Sequence, residues 1–152
     1  MNIKRMLLIG LILVAVAASL SIVSADSSVK VGEFNFNIPD GYDENKSVAM
    51  DHVNGSYNTI GGGEVPCTMA MKGFDKGKNT IGIMVFEFDS PDDAKKAQDY
   101  DKELANGTAK TINGHDGVYF ETNGVYAFHY CKDKYYISVE TSESLLEKVV
   151  PK

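Results

Sequence analysis

The sequence contains no tryptophan, only two cysteines and four prolines, and fewer basic than acidic residues. Two cysteines are too few for a miniature scaffold built from disulfides. Because 15 lysines and arginines face 21 acidic residues, the formal charge is −6, which argues against a nucleic acid or an anionic membrane surface as the partner. A hydrophobic fraction of 43% excludes a disordered chain. The 152 residues therefore allow one ordinary globular domain.

Recognisable catalytic motifs are also missing. Neither the GxSxG nor the HExxH pattern occurs, and the glycine run at 61–63 lacks the Lys-Ser/Thr sequel of a P-loop. His52 and His115 lie in loop-rich segments, where an exposed histidine is the simpler interpretation. We predict a protein without catalytic activity or cofactor. An enzyme whose site has no motif is a further alternative, and it would need a deep pocket that holds His115 or His129 beside a carboxylate.

The first 25 residues have the three-part layout of a secretory signal peptide. Lys4 and Arg5 form a short basic region, residues 6–18 are an unbroken apolar run, and small residues close the segment at 23–25. We therefore predict cleavage after Ala25, a single domain over 26–152, and a secreted or extracytoplasmic cell-surface location. The alternative is an uncleaved anchor, because the apolar stretch reaches the lower limit for a membrane span, and only then is a membrane a partner.

Strand patterns dominate the remaining chain. Residues 33–38 alternate between apolar and polar side chains, residues 80–88 are apolar on both faces, and residues 42–60 suggest one or two short strands with loops. Asn113-Gly114 and Asn123-Gly124 predict tight hairpin turns. About six or seven mainly antiparallel strands are expected.

Two helices are predicted beside these strands. The first starts after a Ser90 cap and runs to Asn106, with a narrow apolar stripe. The second covers about 142–150, where Ser144 and Glu147 fit a capping box. The fold class is therefore α+β, a sheet covered by a middle helix and a C-terminal helix.

This order of elements resembles the PsbP-like family. The resemblance rests on three segments, FNFNIPDGY, FDSPDDAKKA and TINGHDGVYFETNGVYAFHYCKDKYYISVETSESLLEKVV. The chain is also similar to small secreted proteins of unknown function from methanogenic archaea. The resemblance implies an α-β-α sandwich with an accessory, non-catalytic role. It supplies no functional residue, because its motifs are turn and core positions.

The two cysteines allow three interpretations. In an exported protein, an even count favours a disulfide between Cys67 and Cys131, which is our first expectation, while two separate buried thiols are the plain alternative. The third is a soft-metal or redox site. Cys67, Met69 and Met71 alternate onto one strand face, as do His129 and Cys131 on another, and such ligands suit Cu(I) or zinc.

Tyrosines are concentrated in the last strands of the chain. Because a buried hydroxyl needs a hydrogen-bond partner, some of them are expected at a surface that binds a glycan, a peptide or a partner protein. A solvated strand face with tyrosine chosen for strand propensity is an equal alternative. The candidate binding surface comprises Tyr119, Tyr126, Tyr130 and Tyr136.

Three Asn-x-Ser/Thr sequons mark candidate glycosylation sites at Asn45, Asn54 and Asn106, each in a predicted loop or helix end. The leading functional hypothesis is an exported non-catalytic protein that binds an unknown protein, glycan or small ligand. The alternative is the soft-metal or redox protein described above.

Overall fold

The computed structural model describes residues 27–152, apart from 105, 106 and 143. The predicted signal peptide at 1–25 lies outside these residues. Within the described ranges, no helix is long and apolar enough to cross a membrane.

Nine strands and two short helices form the described structure. The strands pair antiparallel throughout the described residues, in one two-stranded and one seven-stranded sheet, which confirms the predicted α+β class. In chain order the elements are β1 (Ser27–Val31), β2 (Phe34–Ile38), β3 (Asp43–Asn58), β4 (Glu64–Lys76), β5 (Asn79–Glu87), α1 (Pro91–Leu104), β6 (Thr108–Ile112), β7 (His115–Thr122), β8 (Val125–Lys132), β9 (Tyr135–Thr141) and α2 (Leu146–Val149).

The seven-stranded sheet joins two meanders at one seam. Its order is β3-β4-β5-β9-β8-β7-β6. Every pair of neighbouring strands is therefore consecutive in sequence, except β5 and β9. The predicted Asn-Gly turns are confirmed: Asn113 and Gly114 have φ of 52° and 87°, and Asn123 and Gly124 have φ of 53° and 78°. Positive φ at both central residues gives the turn twist that fits a tight hairpin.

Strand β3 differs most from its prediction. It is one strand of 16 residues at a sheet edge, where one or two short strands with loops are predicted. The step from Asn45 to Met50 spans five residues on β3 but only two on β4, from Gly73 to Met71, and a second register shift follows before Val53. These bulges break the period-2 pattern from which a strand is predicted.

The predicted N-terminal cap is confirmed for one helix and not for the other. The Ser90 cap of α1 is confirmed: the Asp93 backbone N–H donates to Ser90 Oγ at 3.2 Å, and Ser90 Oγ donates to the Asp93 carboxylate at 2.7 Å. The predicted capping box of the last helix is wrong, because α2 has only four residues and no side-chain cap. Ser142 instead continues the sheet, since its Oγ accepts from the Thr80 N–H at 2.7 Å.

The two faces of the seven-stranded sheet are covered differently. We call the side packed against β1, β2 and α2 the hairpin face, and the side packed against α1 the helix face. Sheet residues on the hairpin face include Ile83, Val85, Phe128, Ile137 and Val139. Sheet residues on the helix face include Tyr57, Cys67, Phe86 and Tyr136, and Phe88, directly after β5, packs with them.

Candidate functional site

Four polar side chains meet in the core between α1 and the sheet. They are Tyr57 from β3, Asp101 from α1, His129 from β8 and Tyr136 from β9, and we call them the buried cluster. Ala94 and Ala97 lie seven and four residues before Asp101, so the three share one side of the helix. Both alanines are fully buried, and their small side chains let α1 approach the sheet closely enough for Asp101 to reach it.

Asp101 is the centre of the hydrogen bonding. Tyr57 Oη donates to Oδ1 and Oδ2 of Asp101 at 3.0 and 2.9 Å, and Tyr136 Oη donates to Oδ2 at 2.5 Å. His129 Nδ1 lies 2.7 Å from Oδ2 and 3.0 Å from Tyr136 Oη. Since the carboxylate accepts, the histidine proton at this contact belongs on Nδ1.

Water has little access to the cluster. Asp101 is 5% exposed, Tyr57 and His129 are 7% exposed, and Tyr136 is fully buried. Burial, and then the negative charge of Asp101, raise the pKa of the Tyr57 and Tyr136 hydroxyls well above their usual value. Both phenols therefore remain protonated donors to Asp101 over the physiological pH range.

The second nitrogen of His129 is buried without a hydrogen-bond partner among the described residues. The ring packs against Phe120, with centroids 4.9 Å apart, and Ser138 is its register partner on β9. Burial raises the pKa of the nearby Glu140, whereas His129 acts in the opposite direction. Around the His129 ring the structure thus places an aromatic ring, a buried serine and the electrostatic influence of one further carboxyl group.

This arrangement does not open onto solvent as a catalytic site would. His129 is beside a carboxylate, as the enzyme alternative requires, but both side chains are sealed under α1. His115, the other histidine considered for catalysis, stacks on Tyr130 with ring centroids 4.5 Å apart. In the described part of the chain, no group of three or more His, Cys, Asp or Glu side chains could hold a metal ion.

An open groove lies on the opposite side of the sheet. It has a volume of about 330 Å³ and is bounded by the β1–β2 turn and by the bulged part of β3. Lys30, Glu33, Asp51 and Lys72 contribute charges of both signs to its walls, while Val31, Met50 and Ala70 contribute apolar surface. None of the four cluster residues lines it.

Strand β3 and the turn after it carry exposed apolar side chains, one of which, Met50, also lines the groove. Among the described residues, the exposed large hydrophobic side chains are Met50 (37%), Val53 (42%) and Ile60 (51%). Met50 and Val53 belong to β3, and Ile60 lies in the turn that follows it. Such side chains are common singly on surfaces, and here all three lie on one edge strand and the turn that follows it.

The predicted disulfide is absent: Cys67 and Cys131 are both free thiols. Cys67 is on β4 and Cys131 on β8, and β5 and β9 lie between them. Three strand spacings amount to about 14 Å, too far for a bridge. Burial raises the pKa of both thiols, that of Cys131 to about 11, so neither is an activated thiolate.

The same strand order separates the predicted soft-metal ligands. Cys67, Met69 and Met71 lie on β4, while His129 and Cys131 lie on β8. His129 is already engaged with Asp101, and Cys131 Sγ contacts the Ala94 carbonyl oxygen at 3.4 Å. The five side chains therefore do not converge on one site.

The four predicted surface tyrosines do not share a surface. Tyr130 and Tyr136 are 1% and 0% exposed and pack on opposite faces of the sheet. Tyr119 and Tyr126 are half-buried against the hairpin face. Tyr119 Oη donates to Glu121 at 2.7 Å, and burial followed by that carboxylate raises the pKa of Tyr119 to about 12.

Two of the sequons lie on β3 rather than in loops. The Asn45 amide donates to Asp75 at 2.7 Å and is half-buried, whereas the Asn54 side chain is exposed. Asn106 lies outside the described residues. Asn54 is therefore the more accessible of the two described acceptors.

Sequence reasoning missed Asp101 and Tyr57 as site residues. The signal for Asp101 was its spacing, because a carboxylate four residues after Ala97 falls on the apolar side of α1. Tyr57 lies in the bulged strand β3, where the hydrophobic pattern does not show which face of the sheet a side chain occupies. Comparison of the chain with protein-family models, with curated proteins and with solved structures found no match.

Proposed function

We propose that the protein is an exported, non-catalytic binding protein that takes up an extended segment of a partner protein along β3. The observation that carries this proposal is the placement of Met50, Val53 and Ile60, the exposed large hydrophobic side chains of the described residues, on β3 and its following turn. Export is inferred from the signal-like layout of residues 1–25. The PsbP-like resemblance supports an accessory role and a sandwich of that family's kind.

Strand β3 offers the backbone chemistry that an extended segment needs. It pairs with β4 on one side and forms an edge of the seven-stranded sheet on the other. An edge strand presents backbone N–H and C=O groups that a further strand can pair with. The 16 residues of β3 are long enough for a partner strand of ordinary length.

The charge of β3 indicates the composition of the partner segment. Asp43, Glu44 and Asp51 supply three carboxylates, and Lys46 supplies one ammonium group, so the strand has a formal charge of −2 with histidine neutral. The adjoining groove of about 330 Å³ has room for a side chain of the incoming strand. We therefore infer a partner segment that alternates apolar and basic side chains.

A synthetic peptide provides a direct test. We expect a peptide of about ten residues that alternates valine and lysine to bind the purified protein, with NMR amide shifts concentrated on β3 and around the groove. The charge-reversed peptide, alternating valine and glutamate, should bind more weakly because β3 is acidic.

Matched variants at the two sheet edges make the test specific. Val53→Lys places a cation on the exposed edge of β3 and should weaken binding by at least about tenfold, equivalent to about 1.4 kcal/mol. Thr108→Lys makes the same change on β6, the opposite edge, and should leave binding intact. Absence of binding, equal binding of both peptides, or equal effects of the two variants would overturn the proposal.

A further inference from the structure

Two tight turns of the seven-stranded sheet have the same central residues and closely similar φ angles. Asn113 and Gly114 join β6 to β7, and Asn123 and Gly124 join β7 to β8. The φ angles are 52° and 87° in the first turn and 53° and 78° in the second. A chemical difference between the two asparagines is therefore expected to come from their surroundings.

The side chain of Asn113 is held by the C-terminal segment of the chain. Its Nδ2 donates to the carbonyl oxygens of Glu147 and Val150 at 2.9 and 2.8 Å. A side-chain amide has two N–H donors, so both are used here. Asn113 is also half-buried. Rotation of this side chain would break both hydrogen bonds.

Asn123 lies at an exposed tip of the sheet. Asn123 and Gly124 are both exposed, as is Thr122 before them. The Asn123 side chain has no hydrogen-bond partner among the described residues. A Cβ atom placed on Gly124 would have no neighbour within 4 Å, so nothing packs against this side of the turn. Rotation of the Asn123 side chain therefore breaks no hydrogen bond and meets no obstacle there.

An asparagine that precedes glycine can react with its own backbone. The Gly124 nitrogen loses its proton to water and attacks Asn123 Cγ. The new C–N bond closes a five-membered succinimide ring, and the side-chain nitrogen leaves as ammonia. Water then opens the ring at either carbonyl, which gives aspartate or isoaspartate, and nothing is oxidised or reduced. Glycine favours the attack because it has no Cβ to restrict the backbone beside the nitrogen.

The attack requires the asparagine side chain to swing toward the next backbone nitrogen. At Asn113 this motion breaks the bonds to Glu147 and Val150, whereas at Asn123 no side-chain bond opposes it. We propose that Asn123 is a modification site at which the folded protein deamidates, and that the C-terminal segment protects Asn113 from the same reaction.

Two further Asn-Gly pairs occur in the chain. Asn54 is exposed, but it lies within β3, where pairing with Thr68 on β4 keeps its backbone extended. Because a paired strand restricts the motion that the attack needs, we expect Asn54 to react more slowly than Asn123. Asn106 lies outside the described residues.

The modification changes the β7–β8 turn in charge and in length. Either product places a new carboxylate at the tip. Isoaspartate also carries the main chain through the former side chain, which adds one carbon between Thr122 and Val125, the last pair of the ladder. The two-residue geometry that fits the hairpin is then lost. Five strands separate β7 from β3 in the sheet order or lie beside it, so this inference does not rest on peptide binding at β3.

The test is incubation of the purified protein in mildly alkaline buffer, with tandem mass spectrometry of tryptic peptides to follow each asparagine separately. We expect Asn123 to deamidate at least about tenfold faster than Asn113, since two hydrogen bonds of ordinary strength protect Asn113. A sample unfolded in guanidinium chloride is the matched control, because both asparagines precede glycine and their rates should become similar there. Asn123→Asp supplies the aspartate product as a reference, which distinguishes it from isoaspartate of the same mass.

Three results would overturn the proposal. One is an equal rate at Asn113 and Asn123 in the folded protein. Another is the absence of reaction at Asn123 in the folded protein over a period in which the unfolded chain reacts there. The third is a rate difference that persists in the unfolded chain, because the selectivity would then come from the neighbouring sequence and not from the bonds that Asn113 makes.

Discussion

The two faces of the seven-stranded sheet bury different kinds of side chain. The hairpin face is a continuous apolar core, in which Ile83, Phe128, Ile137 and Val139 are fully buried. The helix face buries a carboxylate, a histidine and two phenols that hydrogen-bond to one another, with Asp101 at their centre. The comparison suggests a rule for this fold: the element that packs on a sheet face determines which kinds of side chain that face can bury.

The covering elements explain this difference. Strand β2 contributes Phe36 and Ile38, large side chains that fill space against the hairpin face. Helix α1 contributes Ala94 and Ala97, which bury little apolar area. We therefore infer that the hydrogen bonds that Asp101 accepts hold α1 on the sheet together with the packing of the partly buried Tyr100.

The largest effect is expected from Asp101→Ala. The change leaves three buried donors, on Tyr57, His129 and Tyr136, without their acceptor, and should lower the free energy of unfolding by about 3–5 kcal/mol. Asp99→Ala is the control on the same helix, because Asp99 pairs with Lys95 at the surface and should cost at most about 1 kcal/mol. Urea unfolding compares the two. Equal costs would mean that α1 is held by apolar packing.

A smaller effect is expected from Ile83→Val on the hairpin face. Removal of one methylene from this fully buried side chain should cost about 0.5–1.5 kcal/mol. Because the surrounding core is apolar, the cost should be the same in mildly acidic and mildly alkaline buffer, as measured by urea unfolding. The exposed Val53→Ala on β3 should change stability by less than about 0.5 kcal/mol. A cost that varies with pH would contradict the contrast between the two faces.

The smallest effect is expected from Glu140→Gln on the helix face. Burial raises the pKa of Glu140, so the folded chain holds this proton more tightly than the unfolded chain does. The charged form therefore lowers stability above the raised pKa, and this cost disappears as the pH falls below the ordinary carboxyl value of 4.5.

Thermal unfolding across a pH series checks this sign. Glu140→Gln should raise the melting temperature at neutral pH and leave it unchanged in acid. Glu103→Gln, an exposed carboxylate on α1, should have little effect at either pH. A variant that is destabilised at neutral pH would show that the Glu140 charge supports the folded state.

Local signals in the sequence predicted most of the fold. The Ser90 cap, the Asn-Gly turns and the alternation of Phe34, Phe36 and Ile38 each depend on neighbouring residues alone, and each is confirmed. The α+β class follows from these elements. The length of β3 did not follow, because its bulges interrupt the alternation from which a strand is predicted.

The site could be predicted only in fragments. His129 and Tyr136 were singled out, but as a soft-metal ligand and as a surface residue, because their neighbours depend on strand order and on the position of α1. The disulfide prediction was wrong for the same reason. Cys67 and Cys131 share a face of the sheet, but β5 and β9 lie between their strands and keep them apart. Local periodicity carries no information about which distant strands become neighbours.

The single seam between β5 and β9 has a consequence for chain entropy. Its innermost pair joins Glu87 to Tyr135, 48 positions later in the chain, so its formation closes a long loop at a cost of roughly 3–4 kcal/mol by the logarithmic loop rule. Every other junction in the seven-stranded sheet joins strands adjacent in sequence and closes a short loop. The entropy of joining the two meanders is therefore concentrated in one ladder of seven residue pairs, and that ladder also contains the buried side chains Ile83, Val85, Ile137 and Val139.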